Sequence, residues 1–149
     1  MVGSRYSAQA SVSIHAPAER VWEALVTPTI VAQYLHGTTM EADWRPGGTI
    51  TWSGEWKGEP YVDRGSVLEY EPPRRLATTH WSPMSGLEDR PENYHHVSYD
   101  VEERDGVTTL TLTHGNSPTQ TDADAMVENS WKPVLQEIKD LVESRNARG

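Results

Sequence analysis

The chain has 149 residues, the length of about one domain and enough to bury a hydrophobic core. Thirteen Lys and Arg against 22 Asp and Glu give a net charge of −9, and such an acidic surface disfavours nucleic acid and anionic membranes as partners. Because the sequence contains no Cys, a disulfide framework, a Cys-ligated metal site and a thiol nucleophile are excluded.

The sequence also indicates where the protein resides. No apolar run approaches the roughly 20 residues of a membrane span, and the N-terminus turns polar too early for a secretory signal. Together with the lack of Cys, these features predict a cytoplasmic protein. The length predicts a single domain over residues 1–149, with a core of about 6–145. Six Trp and six Tyr with no Phe suit a core that also faces polar groups or a ligand.

The N-terminal part predicts one strand and two short helices. Residues 6–15 alternate in polarity, as in a half-buried strand whose inner residues are Ala8, Ala10, Val12 and Ile14. Pro17 starts a helix with an apolar face formed by Val21, Trp22, Leu25 and Val26. Thr27-Pro28 starts a second helix that includes Tyr34 and ends near Gly37.

A series of consecutive strands follows. Their predicted ranges are 38–44, 49–53, 61–71, 74–81, 93–104 and 107–114. We expect a turn at Arg45–Gly48, a Gly-containing loop over residues 54–60 and a longer loop over 82–92. Consecutive strands with short links form an antiparallel sheet.

The last predicted element is a long helix from about Pro118 to Arg145. Its apolar stripe consists of Val127, Trp131, Val134, Ile138 and Leu141. Pro133 has no N–H to donate to the carbonyl of Asn129, so we expect a kink, which either leaves a space lined by Met126 and Ser130 or is a tolerated irregularity. The predicted fold class is α+β, a helix-grip arrangement of six to seven antiparallel strands curved around this helix.

The turn at Asp105-Gly106 allows the register of the last hairpin to be predicted. A two-residue type I′ turn pairs Arg104 with Val107. The same register pairs Val97 with His114, Val101 with Leu110, and Tyr99 with Leu112. This face is apolar except for His114, so we expect it to be the inner face.

Three histidines are predicted to share that inner surface. His95 is inner by alternation, and His80 is inner if it shares the face of Leu76. A zinc or iron site is one interpretation, but the spacing matches no metal motif and no carboxylate is clearly inner, so we expect no metal and no cofactor. The other interpretations are ordinary pocket histidines, a patch that hydrogen-bonds a ligand, or general acid–base catalysis without an evident partner residue.

Two tryptophans lie near the same region. Trp52 alternates onto one face with Ile50, and Trp56 is predicted to follow in the loop. Both suit either core packing or a pocket wall.

Several motifs occur in a characteristic order. They are Ile14–Trp22, Arg45–Gly48, Gly65–Glu69, Glu71–Leu76, Thr108–His114 and the late Trp131. Over roughly residues 8–143 the chain resembles the START/Bet v 1-like (SRPBCC) superfamily, and within it the activator of Hsp90 ATPase homologue 1-like, polyketide-cyclase-like branch. Tyr34 stands where this family often has Trp, and Ser130-Trp131 stands where Gly-Trp is usual.

The resemblance implies a ligand cavity between the C-terminal helix and the sheet. Together with the register, it predicts a set of ligand-binding residues: Tyr34, Trp52, Trp56, His80, His95, Val97, Tyr99, Leu112, His114, Met126, Ser130 and Trp131. No catalytic residue is assigned, because the sequence contains no phosphate loop, nucleophile elbow or zinc-binding helix motif.

Three functions remain open. The first is binding of a small hydrophobic or amphipathic molecule. The second is an enzyme of cyclase, aromatase or hydrolase type that uses His80, His95 or His114 in the same cavity. The third, suggested by the family name, is a stress-response protein that interacts with an Hsp90-type chaperone. An edge strand could also mediate a homodimer.

Overall fold

The described part of the chain contains seven strands, two short α-helices, two short 3₁₀ helices (Pro83–Ser85 and Pro91–Asn93) and a long C-terminal helix. The computed structural model describes residues 6–147, and the side chains of all of these except Trp56, Asn146 and Ala147. The strands and first helices are β1 Tyr6–Ile14, α1 Ala18–Val26, α2 Pro28–Tyr34, β2 Thr39–Ala42, β3 Thr49–Trp56, β4 Glu59–Glu71, β5 Arg75–His80, β6 His95–Arg104 and β7 Val107–Ser117. The C-terminal helix comprises α3 Gln120–Met126, a π-helical turn Val127–Trp131 and α4 Lys132–Ala147.

All seven strands form one open antiparallel sheet. Its order is β1-β7-β6-β5-β4-β3-β2, so β1 and β2 are the edge strands. The C-terminal helix contacts β1 and β7, and α1 and α2 lie beside it. This arrangement confirms the α+β prediction. Among the residues described, no helix combines the length and apolarity needed to cross a bilayer.

The register of the central strands is the one predicted from the Asp105-Gly106 turn. Asp105 and Gly106 both have positive φ, as a type I′ turn requires. The pairs Val97–His114 and Tyr99–Leu112 follow from this turn, and His80 lies opposite His95 on the next strand. The three histidines therefore occupy neighbouring strands at one end of the sheet.

The prediction of a loop over residues 54–60 was wrong. Strand β3 continues to Trp56, and β4 begins at Glu59. Lys57 and Gly58 have positive φ and form a two-residue turn that keeps the strands paired. Pro60 is accommodated within β4, opposite Glu55.

Gly65 allows two strands to approach closely. A Cβ built on Gly65 would lie 1.8 Å from the backbone oxygen of Thr79 on β5. The register between β4 and β5 shifts between Val67 and Glu69, where the ladder has a bulge. Only glycine fits at this position without movement of β5.

The C-terminal helix widens just before Pro133. The N–H of Lys132 donates to the oxygen of Val127, five residues back, which is the hydrogen bond of a π turn. A π turn inserts an extra residue and rotates the following positions around the helix axis. The most buried residues of α4 are accordingly Leu135, Ile138 and Val142, whereas Val134 and Leu141 of the predicted stripe are half-buried.

Candidate functional site

A cavity of about 630 Å³ lies between the concave side of the sheet and the C-terminal helix. Its wall is mostly apolar. Seven aromatic residues line it: Tyr34, Trp44, Trp52, Tyr61, Trp81, Tyr99 and Trp131. This volume lies within the range of small-molecule sites in proteins.

Ten of the twelve residues singled out in the sequence line this cavity. The sheet contributes Trp52, His80, His95, Val97, Tyr99 and His114. The helices contribute Tyr34, Met126, Ser130 and Trp131. Leu112 lies instead in the packed core with no exposed surface, and the side chain of Trp56 lies outside the described part of the structure.

His80 has a carboxylate partner that the sequence did not indicate. Nε2 of His80 lies 2.9 Å from Oδ2 of Asp63, and both residues line the cavity. The ring of Trp52 contacts the imidazole of His80 edge-on, with centroids 5.0 Å apart. The expectation that no carboxylate is clearly inner was therefore wrong.

The alternation of β4 explains why Asp63 was missed. Val62 and Leu68 are apolar but exposed, so hydrophobicity alone assigns the wrong face. Counting back in steps of two from the buried Val67 brings Gly65 and then Asp63 to the inner face. Strand alternation from Val67 was therefore the signal in the sequence that could have identified Asp63 as an inner residue.

His114 is held in one tautomer by a neighbouring indole. The Nε1–H of Trp131 donates to Nδ1 of His114 over 3.1 Å, so the proton of the neutral ring resides on Nε2. Burial, and secondarily the neighbouring His95 and His80, lowers the pKa of His114 to about 4. The imidazole is therefore uncharged at neutral pH.

The histidines form a row of rings rather than a ligand set for a metal. The centroids of His95 and His114 lie 4.5 Å apart, and His80 is opposite His95 across the strands. Nε2 of His114 is buried and has no hydrogen-bond partner among the described residues. Within residues 6–147, no group of three or more His, Asp or Glu side chains is arranged to hold a metal ion.

Tyrosines contribute neutral polar groups to the wall. The hydroxyl of Tyr34 donates to the oxygen of Ala24 over 2.7 Å. Burial raises the pKa of Tyr34 and of Tyr99 well above the ordinary tyrosine value, so both remain protonated. Tyr99 packs edge-on against Trp131, with centroids 6.2 Å apart.

The rim of the cavity is formed by residues that the sequence did not single out as ligand-binding. His36, after α2, lies 3.2 Å from the carboxylate of Glu137 on α4, and both residues line the cavity. Trp81 stacks on Tyr94, and its indole N–H donates to the oxygen of Leu87 in the loop over residues 82–94. The first contact joins the segment after α2 to α4, and the others hold the loop against Trp81.

Comparison with known proteins assigns the fold to a family. The model of the family described as activator of Hsp90 ATPase homologue 1-like protein matches residues 15–143. The solution structure of ChR145 from Cytophaga hutchinsonii is similar over 95% of this chain and 97% of that chain, with a TM-score of 0.82 and 37% identity. No curated protein matches the chain significantly.

Two more distant structures share the fold. The crystal structure of PFC0360w, an Hsp90 activator from Plasmodium falciparum, has a TM-score of 0.72 and 18% identity, covering 92% of this chain and 96% of that one. The solution structure of the Aha1 dimer from Colwellia psychrerythraea has a TM-score of 0.69 and 21% identity, and the match covers 92% of this chain and 96% of that chain.

Proposed function

The chain belongs to the activator of Hsp90 ATPase homologue 1-like family, and from this premise we propose that it binds a small, mostly apolar ligand between the C-terminal helix and the sheet. The observation that supports this most is the cavity of about 630 Å³ with its mostly apolar, aromatic wall. Such a cavity suits a ligand that removes its rings from water and places a few polar atoms against His80, Tyr99 or His114.

The neutral dye Nile red provides a direct test, because its fluorescence rises in apolar surroundings. We expect saturable binding to the protein and weaker binding in Ser130→Trp, which adds an indole at an exposed helix position that lines the cavity. Asn129→Trp is the matched control, since Asn129 is exposed and does not line the cavity. Equal dye binding by both variants, or none by the unmodified protein, would argue against a ligand cavity.

The pairing of His80 with Asp63 favours a second candidate, an enzyme acting in the same cavity. A carboxylate that hydrogen-bonds one nitrogen of an imidazole orients the ring, which is how many general bases are held. His80 would take a proton from a bound water or from a carbon next to a carbonyl.

The enzyme candidate is tested with a neutral aromatic ester, p-nitrophenyl acetate. Turnover above the solution rate that falls at least about tenfold in both His80→Gln and Asp63→Asn would support it. Turnover unaffected by either change would remove His80 from consideration. His96→Gln is the control, because His96 lies on the opposite face of the sheet and does not line this cavity.

A third candidate is a protein partner. The family description and the shared fold of the Plasmodium falciparum Hsp90 activator support an interaction with an Hsp90-type chaperone, and the Aha1 dimer from Colwellia psychrerythraea supports a homodimer. Co-precipitation with a purified Hsp90-type chaperone tests the first interaction. Sedimentation of the free protein tests the second, with β1 and β2 as the available sheet edges.

A further inference from the structure

The fixed charges among the described lining residues of the cavity are all negative. Among its described lining residues there is no Lys and no Arg, whereas Asp63 and Glu137 each bring a carboxylate. Asp63 is only 15% exposed, and its Oδ1 atom is buried with no hydrogen-bond partner among the described residues. A partly buried negative charge is screened by salt much less than one on the surface.

The neighbouring basic side chains leave one oxygen of Asp63 without a hydrogen-bond partner among the described residues. His114 is uncharged at neutral pH because burial lowers its pKa to about 4. His80 lies within hydrogen-bond distance of Oδ2 of Asp63 only, and the exposed His36 pairs with Glu137. The guanidinium of Arg64 lies 5.7 Å from the Trp81 ring, but it pairs with Asp89 at 3.3 Å.

Aromatic rings line the same space. Trp52 lies opposite Asp63 in the pairing of β3 with β4, so an indole and a carboxylate adjoin each other in the wall. An indole face attracts a cation through its quadrupole, and the attraction is stronger in a site shielded from water. The net charge of −9 adds a long-range attraction for cations and a repulsion for anions.

We propose that the cavity selects a lipophilic cation, an ammonium group carried on an aromatic or alkyl body, over a neutral molecule, and that it excludes the corresponding carboxylate. This inference rests on the proposed ligand-binding function and narrows its ligand class. The ammonium group lies near Asp63 and Trp52, and the apolar body fills the space beneath the C-terminal helix. Fatty acids and aromatic acids are poor ligands, because no Lys or Arg among the described lining residues receives their carboxylate.

Three probes with a common biphenyl body test the charge preference. They are (biphenyl-4-yl)methyl-trimethylammonium, biphenyl-4-methanol and biphenyl-4-acetate, each used to displace Nile red at low ionic strength. We expect the ammonium probe to bind about tenfold or more tightly than the acetate, with the alcohol between them, since the carboxylate of Asp63 attracts the ammonium group and repels the acetate.

The substitution Asp63→Asn keeps the shape of the side chain and removes its charge. It should reduce the ratio between ammonium and acetate affinities several-fold, whereas Glu102→Gln, which removes an exposed charge outside the cavity, should leave the ratio unchanged. If Asp63→Asn does not fold, the three probes on the unmodified protein still decide the preference.

The outcomes separate the two proposals. If Nile red does not bind, the proposed ligand cavity and the charge preference are both overturned. If Nile red binds and the three probes displace it equally, or the acetate displaces it best, the cavity remains and the charge preference is overturned. Both proposals are supported if the ammonium probe has the lowest Kd, the alcohol an intermediate Kd and the acetate the highest, and if these differences become smaller in Asp63→Asn.

Discussion

The indole N–H of Trp131 on the C-terminal helix donates to Nδ1 of His114 on β7 over 3.1 Å. This bond joins the C-terminal helix to the sheet, and both residues line the cavity. It also requires that Nδ1 carry no proton, so protonation of His114 breaks the bond. The position of the helix is thus coupled to the charge state of one buried imidazole.

This coupling predicts a pH dependence of stability. The folded-state pKa of His114, about 4, lies below the unfolded value of 6.5, so between these values the unfolded chain binds a proton that the folded chain does not. The free energy of unfolding should therefore fall as the pH is lowered from about 6.5 to 4, with a contribution of about 1–3 kcal/mol from His114.

Chemical denaturation of the protein and of His114→Gln at several pH values measures this contribution. We expect a shallower decline in the variant over that window, while His95 and His80, which face His114, remain in both proteins. Identical slopes would contradict a buried neutral His114. The carboxylates are the same in both proteins, so their contribution to the decline cancels in the comparison.

The close approach at Gly65 predicts a large effect of a single methyl group. In Gly65→Ala the new Cβ would meet the backbone oxygen of Thr79 at 1.8 Å, and β4 would have to move away from β5. We expect a loss of about 2–3 kcal/mol in the free energy of unfolding. In Gly115→Ala the nearest atom lies 3.6 Å away, and the loss should be below about 1 kcal/mol. Equal losses would show that the strands do not meet so closely.

Removal of the Tyr34 hydroxyl should lower the stability of the protein without changing the shape of the cavity. Tyr34→Phe removes the donor to the oxygen of Ala24 but keeps the ring in the wall. The free energy of unfolding should fall by about 1 kcal/mol, the usual net contribution of a hydrogen bond. Nile red affinity should be preserved. A large loss of dye binding would mean that the hydroxyl itself contacts the ligand.

Much of the site could be predicted because one turn determines the register. Asp105-Gly106 strongly favours a type I′ hairpin, which pairs His114 with Val97, and the apolar character of the face that they share assigns both to the inner side. The histidine row then follows from alternation on the neighbouring strands. Trp131 lies on the predicted apolar stripe of the helix and lines the cavity.

Three features were not predicted, because each is a local exception to the usual relation between residue type and structure. Asp63 is inner while the apolar Val62 is outer, because alternation along β4 outweighs side-chain polarity. The hairpin at Lys57-Gly58 was obscured by Gly54 and Pro60, which usually indicate a loop. The π turn shifted the buried positions of α4, and no residue pattern gives its position except the nearby Pro133.

The most direct test of the ligand cavity is a titration of ¹⁵N-labelled protein with the neutral biphenyl-4-methanol, followed by NMR. We expect shifts of the indole N–H signals of Trp52 and Trp131, which line the cavity, with little change in the indole N–H signal of Trp22, which does not line it. Absence of these shifts, or a shift confined to Trp22, would contradict a ligand site beneath the C-terminal helix.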